Sequence, residues 1–311
     1  MLLYRIGDFL GLFLLLVLQI AEARIVHKPR EFRCGRMVVF GDSLSDDGVE
    51  AEGESHGFLR NSNGKVWPEY AHEMLGCDQY LNYAYSGAKS GIGNFYFDTF
   101  SGIQWQTNQF LLSHKYLVDD PLIIIQTGGV IDFFAGANDS TTVVENIQNT
   151  IHNITQVIGG FLELSSRTKP TNHSSLTKLN LQTMTSGTLI VLTLMDLSSS
   201  PGIRAAEDSS QLQHRLGTLV AETNRQLHYI VLDSDIGTRR LNPFLRVKLV
   251  DVNPIVLAAM QSLNTTEPFS HHLPDLLPQS IYRYAFHDLW NPSTFVHWHL
   301  AKEIVRTLQQ F

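Results

Sequence analysis

Five short apolar runs alternate with segments whose apolar residues recur at helical spacing, and this alternation limits the possible folds more than any other feature. The runs are rich in β-branched residues, as buried strands are, and cover residues 37–40, 81–85, 122–126, 189–194 and 247–252. The helical patterns cover residues 67–75, 143–164, 211–231, 254–263 and 294–308. Strands that alternate with helices predict an α/β domain with a mainly parallel five-stranded sheet. Helices should cover both faces, and a functional site is expected at the carboxyl ends of the strands.

The amino terminus has the pattern of a secretory signal peptide at residues 1–23. Arg5 precedes an apolar run at residues 10–20, and Ala21-Glu22-Ala23 offers small residues at a cleavage site. The run is shorter than the roughly 20 apolar residues of a spanning helix, and an uncleaved anchor is the alternative. We therefore expect a mature chain of residues 24–311 that is secreted and has no further transmembrane segment.

Four Asn-x-Ser/Thr sequons agree with a eukaryotic secretory pathway and predict a glycoprotein modified at Asn138, Asn153, Asn172 and Asn264. Residues 165–187 are rich in Ser, Thr, Asn, Lys and Gln, which predicts an exposed insertion loop within a single domain. The formal net charge of −7 gives no reason to expect nucleic acid or an anionic membrane as a partner.

The two cysteines of the chain lie just before the first two predicted strands. Cys34 precedes the segment at residues 37–40, and Cys77 precedes the segment at residues 80–84. If these strands are parallel neighbours, the two thiols sit side by side at one edge of the sheet. In an oxidising compartment that arrangement favours a disulfide. Two unpaired buried cysteines are the alternative.

The sequence Gly41-Asp42-Ser43-Leu44-Ser45-Asp46 follows the first strand and places a serine where a helix would begin. Backbone N–H groups at such a turn can stabilise the negative charge that develops when a serine attacks a carbonyl carbon. The alternative is an ordinary connection from strand to helix, in which Asp42 or Ser43 is an N-cap.

This turn and four later segments resemble, in order, the sequence blocks of the GDSL/SGNH hydrolases; the later segments cover residues 64–70, 82–88, 188–201 and 288–301. The resemblance implies the SGNH hydrolase fold, a flavodoxin-like three-layer α/β/α sandwich, and an esterase or lipase that acts on a small ester, glycan or lipid ligand. It also implies that Ser43 is the nucleophile and that the backbone N–H groups of Ser43 and Gly87 form the oxyanion hole. No cofactor is expected. His271 and His272 lack further ligands at metal spacing, so no metal site is expected either.

The last of these blocks departs from the family pattern Asp-x-x-His-Pro-Thr. The aspartate of the pattern falls on Asp288, but its histidine falls on Asn291. In the family this histidine takes the serine proton and passes it to the leaving group, while the aspartate orients the histidine. An asparagine amide does not titrate near neutral pH and cannot do this. Asp288 is therefore expected to occupy the orienting position without a base to orient.

The segment after the third predicted strand also departs from the family pattern. The family pattern Gly-x-Asn-Asp follows a buried strand, and its asparagine amide donates to the oxyanion. Alignment of residues 127–132 with this pattern places Ile131 at the asparagine and removes the side-chain donor. Gly-x-Asn-Asp does occur at residues 136–139, where Asn138 would be the donor in an alternative register. We favour the Ile131 register because the active asparagine should follow the strand directly.

Three histidines close to Asn291 in sequence could substitute for the missing base. Any substitute must bring a ring nitrogen within hydrogen-bond reach of Ser43. His297 is the candidate, although a histidine at its spacing occurs in active relatives without being the base. His287 and His299 are the other two.

The sequence thus predicts a secreted GDSL-type ester hydrolase whose degenerate active site impairs catalysis. The alternative is a catalytically inactive pseudoenzyme that binds an ester, glycan or lipid without turning it over. A purely structural secreted glycoprotein is a third possibility, but it does not explain the intact segments around Ser43 and Gly87.

Overall fold

The computed structural model describes residues 32–48, 60–96, 98–113, 116–117, 120–126, 129–135, 149, 152–153, 156, 158–159, 183–184, 186–272 and 282–310. The predicted signal peptide, Asn138, Asn172 and most of residues 143–187 lie outside these ranges. No helix in the described ranges is long and apolar enough to cross a membrane. Within the described residues, the unit Arg33–Thr307 is compact and holds the whole sheet.

The strands of the described part of the chain are β1 (Arg36–Phe40), β2 (Gln79–Asn82), β3 (Tyr116–Leu117), β4 (Leu122–Gln126), β5 (Thr183–Met184), β6 (Gly187–Leu192) and β7 (Leu245–Val250). One sheet contains five of them in the order β2-β1-β4-β6-β7, and every pairing in it is parallel. The short strands β3 and β5 pair separately. The predicted α/β domain with a parallel five-stranded sheet is therefore confirmed. Four of the five strands begin one or two residues before their predicted starts, and β4 has its predicted bounds.

In the described part of the chain, the helices with defined bounds are α1 (Trp67–Leu75), α2 (Ile103–Ser113), α3 (Gly129–Ala135), α4 (Pro201–Arg204), α5 (Ser209–Leu241), α6 (Asn253–Met260) and α7 (Thr294–Gln309), with a short 3₁₀ helix at Phe269–His272. The predicted helix at residues 67–75 has these bounds in the structure. It begins with a proline in its first turn, where the missing N–H costs nothing, and the Glu69 carboxylate accepts a hydrogen bond from the Val66 N–H at 2.8 Å. The sequence pattern did not predict α2, α3 or α4.

The core is centred on the middle strands of the sheet. Every residue of β4 is buried, and so are four of the five residues of β1. Strands that helices cover on both faces read as continuous apolar runs rather than alternating ones, which explains the runs seen in the sequence. Full burial of each isoleucine side chain of β4 stabilises the fold by about 1.5–3 kcal/mol.

The predicted disulfide between Cys34 and Cys77 is present. β1 and β2 are parallel neighbours, and their register pairs Arg36 with Gln79. Each cysteine lies two residues before one member of that pair, so the same register brings the two side chains together. The expectation that the first two strands are adjacent is confirmed by the same pairing.

Candidate active site

Ser43 lies in a tight turn directly after β1, here called the Ser43 turn (residues 41–46). The carbonyl oxygen of Asp42 accepts hydrogen bonds from the N–H groups of Ser45, at 2.9 Å, and Asp46, at 3.0 Å. The Asp42 carboxylate accepts another from the Leu44 N–H at 2.9 Å. Every other residue of the turn is buried, whereas Ser43 is only half-buried. Asp42 therefore anchors the turn and leaves Ser43 as its most accessible residue.

Gln126, the last residue of β4, binds the Ser43 turn at three points. Its Oε1 accepts from the Asp42 N–H at 2.9 Å and from the Ser45 hydroxyl at 3.2 Å. Its Nε2 donates to Asp42 Oδ2 at 3.1 Å. The Trp67 indole N–H also donates to Ser45 Oγ, at 3.0 Å. A Cβ at Gly41 would lie 2.7 Å from both Ser45 Cβ and Gln126 Oε1, so this close approach requires glycine.

Gln106 on α2 holds the same turn from a second direction. Its Oε1 accepts from the Gly41 N–H at 3.0 Å, and its Nε2 donates to the carbonyl oxygens of Gly41, at 2.9 Å, and Ser101, at 2.8 Å. Sequence reasoning missed both glutamines. The polar residue that ends an otherwise apolar run could have indicated Gln126, but no local pattern marks Gln106.

The carboxylates of the Ser43 turn are enclosed by protein. Burial raises the pKa of Asp42 to about 6, although hydrogen bonds from Leu44 and Gln126 act in the opposite direction. Burial likewise raises the pKa of Asp46 to about 6, against hydrogen bonds from the N–H groups of Gly48 and Ser86. These carboxylates thus serve as hydrogen-bond acceptors that fix the backbone of the turn.

The segment that carries Gly87 is bonded directly to the Ser43 turn. The Ser86 N–H donates to Asp46 Oδ2 at 2.7 Å, and Asn94 Nδ2 donates to the Ser86 carbonyl oxygen at 2.8 Å. Gly87 has a φ of +81°, in the left-handed region that favours glycine. A Cβ at this position would also lie 2.7 Å from Asn94 Oδ1. The structure therefore brings the Ser43 turn and the segment at residues 82–88 together.

Asp132 on α3 belongs to the segment aligned with Gly-x-Asn-Asp and bonds to Ser90, shortly after Gly87. Its carboxylate accepts from the Ser90 N–H at 2.8 Å and from the Ser90 hydroxyl at 3.1 Å. Burial raises the pKa of Asp132 to about 6, against these two hydrogen bonds. The preceding residue, Ile131, is half-buried and has no side-chain donor. Asn138, the alternative donor, lies outside the described residues.

Asn291 is bonded to Asp288 as a base would be. Asn291 Nδ2 lies 3.1 Å from Asp288 Oδ1 and 2.9 Å from Asp288 Oδ2. The backbone N–H groups of Trp290 and Asn291 donate to Asp288 Oδ1 at 2.8 Å and 2.7 Å. Asn291 is 7% exposed, so this amide is held in an enclosed position. The pair thus joins a carboxyl group to an amide that does not titrate near neutral pH.

Of the neighbouring histidines, His297 is buried, His287 and His299 are half-buried, and none bonds to Ser43 in the described part of the chain. His297 is 2% exposed, and its Nε2 has no hydrogen-bond partner. Burial, followed by the nearby His287, lowers the pKa of His297 to about 3. His287 has a buried Nδ1 without a partner, and burial lowers its pKa although Asp288 raises it. Burial also lowers the pKa of His299, whose ring packs on Phe295 at 4.6 Å.

A small apolar cavity connects the Ser43 turn with the Asn291 segment. Leu44 and Pro292, which follow Ser43 and Asn291 in the chain, both line it. The remaining lining residues come from α1, from the carboxyl ends of β4, β6 and β7 and the residues just after them, and from α6 and α7; they include Gln126, Thr193, Val252 and His297. The Ser43 turn and this cavity thus lie at the carboxyl ends of the strands, and His297 is one of the residues that line the cavity.

Two sequons fall on described residues. The Asn153 amide nitrogen donates to Ser90 Oγ at 3.1 Å, so a glycan attached there would replace that bond. Asn264 Oδ1 accepts from the N–H and hydroxyl of Thr266 at 2.9 Å and 2.8 Å. Glycosylation at each site stays a prediction. Over the ranges given above, no group of three or more His, Cys, Asp or Glu side chains could hold a metal ion.

Comparison with known structures finds similarity to several esterases, and the first of these shares the fold. The native aryl esterase of M. smegmatis is 14% identical, with a TM-score of 0.50 over 89% of this chain and 99% of that chain. Est24, a carbohydrate acetylesterase from Sinorhizobium meliloti, is 14% identical, with a TM-score of 0.49 over 89% and 98%. Axe2, an acetylxylan esterase from Geobacillus stearothermophilus, is 16% identical, with a TM-score of 0.48 over 89% and 96%. Similarity at this identity concerns the fold alone.

The sequence itself matches one protein family over most of its length. No curated protein matches the chain. The model of the family described as GDSL-like Lipase/Acylhydrolase, however, matches residues 37–289, which include the Ser43 turn, Gly87 and Asp288. This range also includes the five-stranded sheet, apart from Arg36 at the start of β1. The chain therefore belongs to the GDSL-like lipase/acylhydrolase family.

Proposed function

We propose that this protein is a secreted GDSL-family protein that binds a small ester, glycan or lipid at the Ser43 turn and hydrolyses it poorly. The observation that carries the proposal is the amide of Asn291, bonded to both carboxylate oxygens of Asp288 where the family has its histidine. An amide nitrogen donates hydrogen bonds but does not accept a proton near neutral pH. Ser43 is therefore a nucleophile without a proton acceptor.

The binding half of the site is supported by the geometry around Ser43 and Gly87. We assign the oxyanion hole to the backbone N–H groups of these two residues, whose segments are joined by the bond from Ser86 to Asp46. Ile131, which aligns with the family's oxyanion asparagine, supplies no side-chain donor to the oxyanion hole. The loss of one such donor typically costs about 10²–10³ in turnover. Polarisation of a bound carbonyl would thus persist in a weakened form.

A substitute base finds little support among the histidines near Asn291. No hydrogen bond joins Ser43 to a histidine in the part of the chain that the structure describes. His297, the substitute considered from the sequence, has a pKa of about 3 because it is buried, so it is a weak base at neutral pH. Its Nε2 has no partner. When a triad hydrolase loses its base, binding and the oxyanion hole still accelerate the reaction by about 10³–10⁴ over the rate in water.

The alternative, a pseudoenzyme that binds without any turnover, is consistent with two exposed aromatic side chains next to Gly87, Phe95 and Tyr96, here called the aromatic lip. The Phe95 N–H donates to the Gly87 carbonyl oxygen at 2.7 Å. The Phe95 and Tyr96 side chains are 54% and 68% exposed. Large apolar side chains exposed beside a polar site commonly contact a ligand. Such a lip would bind an acyl group or a sugar ring whether or not Ser43 reacts.

The proposal is tested by hydrolysis of p-nitrophenyl acetate and p-nitrophenyl butyrate. Wild type, Ser43→Ala and the matched control Ser113→Ala, which changes an exposed serine on α2, are compared at equal concentration. Impaired catalysis predicts a small wild-type rate that Ser43→Ala lowers and Ser113→Ala does not. A rate that is equal in all three, together with ester binding by ligand-observed NMR, supports the pseudoenzyme. Rapid turnover that Ser43→Ala abolishes contradicts the missing-base argument.

A further inference from the structure

The aromatic lip belongs to a short hairpin at residues 88–96, here called the lip hairpin. Ala88 and Asn94 form an antiparallel bridge at its base, and Ile92 lies between them at its tip. Ile92 is 50% exposed, so with the aromatic lip the hairpin carries three large side chains that leave half or more of their surface uncovered. The lip hairpin is therefore an exposed and largely apolar surface.

The backbone of the lip hairpin is hydrogen-bonded within the protein. Three N–H groups at the amino end of α2 donate to three carbonyl oxygens of the hairpin; the pairs are Gly102 with Ile92, Ile103 with Lys89, and Gln104 with Gly91, at 2.8 Å, 2.9 Å and 3.1 Å. The Lys89 N–H donates to the Gly93 carbonyl oxygen at 3.1 Å. A Cβ at Gly102 would lie 2.2 Å from the Gly91 carbonyl oxygen, so this close approach requires glycine. The hairpin is thus fixed on α2, and its bonded carbonyl groups do not depend on water.

The base of the lip hairpin is bonded to the segment that carries Gly87. The Phe95 N–H donates to the Gly87 carbonyl oxygen, and the Tyr96 N–H donates to Asn94 Oδ1 at 3.0 Å. Asn94 Nδ2 in turn donates to the Ser86 carbonyl oxygen. The aromatic lip is therefore attached to the segment that we assign to the oxyanion hole. A partner that covers the lip lies beside the candidate active site.

The backbone bonds of the lip hairpin favour an apolar medium as that partner. Such a medium offers no hydrogen bonds, so a segment that enters it must satisfy its polar backbone groups internally. A peptide that adds as a strand needs free backbone donors and acceptors, and here many of them are already used. Charge is not involved either, because no charged residue occurs between Lys89 and Asp98.

A lipid surface fits the lip hairpin better than a single acyl chain does. The cavity beside the Ser43 turn has a volume of about 20 Å³, room for about one water molecule, so it cannot enclose an acyl chain. A lone chain on the exposed lip would keep its outer side in water. A lipid surface, by contrast, surrounds a protruding side chain and removes its whole apolar area from water.

We propose that the lip hairpin docks this protein on a zwitterionic lipid surface, with Ile92, Phe95 and Tyr96 inserted at the boundary between headgroups and acyl chains. Aromatic side chains such as tyrosine are enriched at this depth. The formal net charge of −7 means that anionic headgroups would repel the protein. The inference rests on the proposed function in one respect, since it takes the lipid as the source of the ester that binds at the Ser43 turn.

The test is co-sedimentation of the full-length secreted protein with phosphatidylcholine vesicles. Wild type should bind, and the double variant Phe95→Ser with Tyr96→Ser should bind about tenfold more weakly, because two exposed apolar side chains are lost. Phe244→Ser is the matched control: Phe244 is 63% exposed but lies just before β7, at the amino ends of the strands. It should bind as wild type does. Phosphatidylserine in the vesicles should not strengthen the binding.

A fluorescence measurement keeps the result clear if the double variant folds poorly. Tyr96→Trp retains an aromatic anchor, and its added emission should shift to shorter wavelength on phosphatidylcholine vesicles. The added emission of Phe244→Trp should not shift. Ser43→Ala should bind the vesicles as wild type does. Rapid turnover of p-nitrophenyl acetate by wild type would contradict impaired catalysis but would leave vesicle binding unchanged, so the two proposals fail separately.

Four results would overturn docking on lipid. Wild type could fail to bind phosphatidylcholine vesicles, or the folded double variant could bind them as tightly as wild type. The added emission of Tyr96→Trp could stay unchanged on vesicles. A wild-type dimer in size-exclusion chromatography that the double variant dissociates would identify a second copy of the chain as the partner of the lip.

Discussion

Replacing Asn291 by histidine should return a proton carrier to the site. Asn291 Nδ2 lies 3.1 Å and 2.9 Å from the two carboxylate oxygens of Asp288. A histidine Nδ1 is likewise two bonds from Cβ, so an imidazole in this position can donate Nδ1–H to Asp288. Its Nε2 then extends beyond the present amide, and in the proposed mechanism it accepts the proton of Ser43. The bonds that orient the base are already in place before the substitution.

The size of the effect follows from what a positioned base contributes. General acid–base catalysis is worth about 10²–10⁴ in rate, or roughly 2.7–5.5 kcal/mol of transition-state stabilisation. Asn291→His should therefore raise kcat/KM by about two to four orders of magnitude. Ile131 limits this gain. Because the oxyanion donor is missing, the turnover rate of the variant should stay about 10²–10³ below that of an enzyme with a complete site. Most of the gain should appear in kcat, since the base acts in the transition state.

The assay is p-nitrophenyl acetate hydrolysis over pH 5 to 9. Asn291→Gln is the matched control, since it adds bulk at the same position without a titratable group. The double variant with Ser43→Ala tests whether the new activity uses the serine. The rate of Asn291→His should rise with pH as the imidazole loses its proton, and the two controls should show no such titration.

An unchanged rate in a folded Asn291→His protein would refute the reasoning, because the lost base would then not be the limiting defect. A gain of activity that survives Ser43→Ala would also refute it, since the histidine would then act without the nucleophile.

Three further predictions concern stability and the oxyanion segment. Cys34→Ser opens the bond to Cys77, which closes 43 residues, and should lower the free energy of unfolding in urea by about 4 kcal/mol. The raised pKa of Asp132, about 6, means that its contribution to stability is full below about pH 4 and is lost as pH rises through 6. The free energy of unfolding should therefore gain a contribution from Asp132 when the pH falls from 7 to 4. Asp132→Asn, which can keep both bonds to Ser90, should lack this contribution, which is at most about 3 kcal/mol. Gly87→Ala should cost about 1–2 kcal/mol of stability at a φ of +81° and weaken ester binding, measured by urea unfolding and ligand-observed NMR.

Each of these has an outcome that contradicts it. An unfolding midpoint of Cys34→Ser equal to that of wild type would show that the disulfide does not constrain the unfolded chain. Equal pH dependence in wild type and Asp132→Asn would mean that this carboxyl is not enclosed as the structure describes. A Gly87→Ala protein with wild-type stability and ester binding would exclude a constrained backbone at that position.

Much of the fold could be predicted because the signals were periodic and local. β4 is a fully buried strand with three consecutive isoleucines, and α1 has a proline in its first turn and a regular apolar face. The disulfide followed from the placement of Cys34 and Cys77 before adjacent strands. Such features depend on a few neighbouring residues, so they can be read without the three-dimensional structure.

The missed features depend on contacts between distant segments. α2 buries Gln106, which binds the backbone of Gly41 sixty-five residues away, so its buried face is partly polar and shows no clear apolar stripe. The polar end of β4 is used in the same way, by Gln126 on the Ser43 turn. The burial of His297 could not be inferred either, because no local pattern distinguishes an enclosed histidine from a catalytic one.

The central claim is that Ser43 keeps its place in the fold but has no base to activate it. The most direct measurement is the rate at which a fluorophosphonate probe labels wild type, followed by mass spectrometry of the modified residue. The account predicts slow, incomplete labelling of Ser43, close to the rate for an ordinary surface serine. Fast, stoichiometric labelling of Ser43 in wild type, absent from Ser43→Ala, would contradict it.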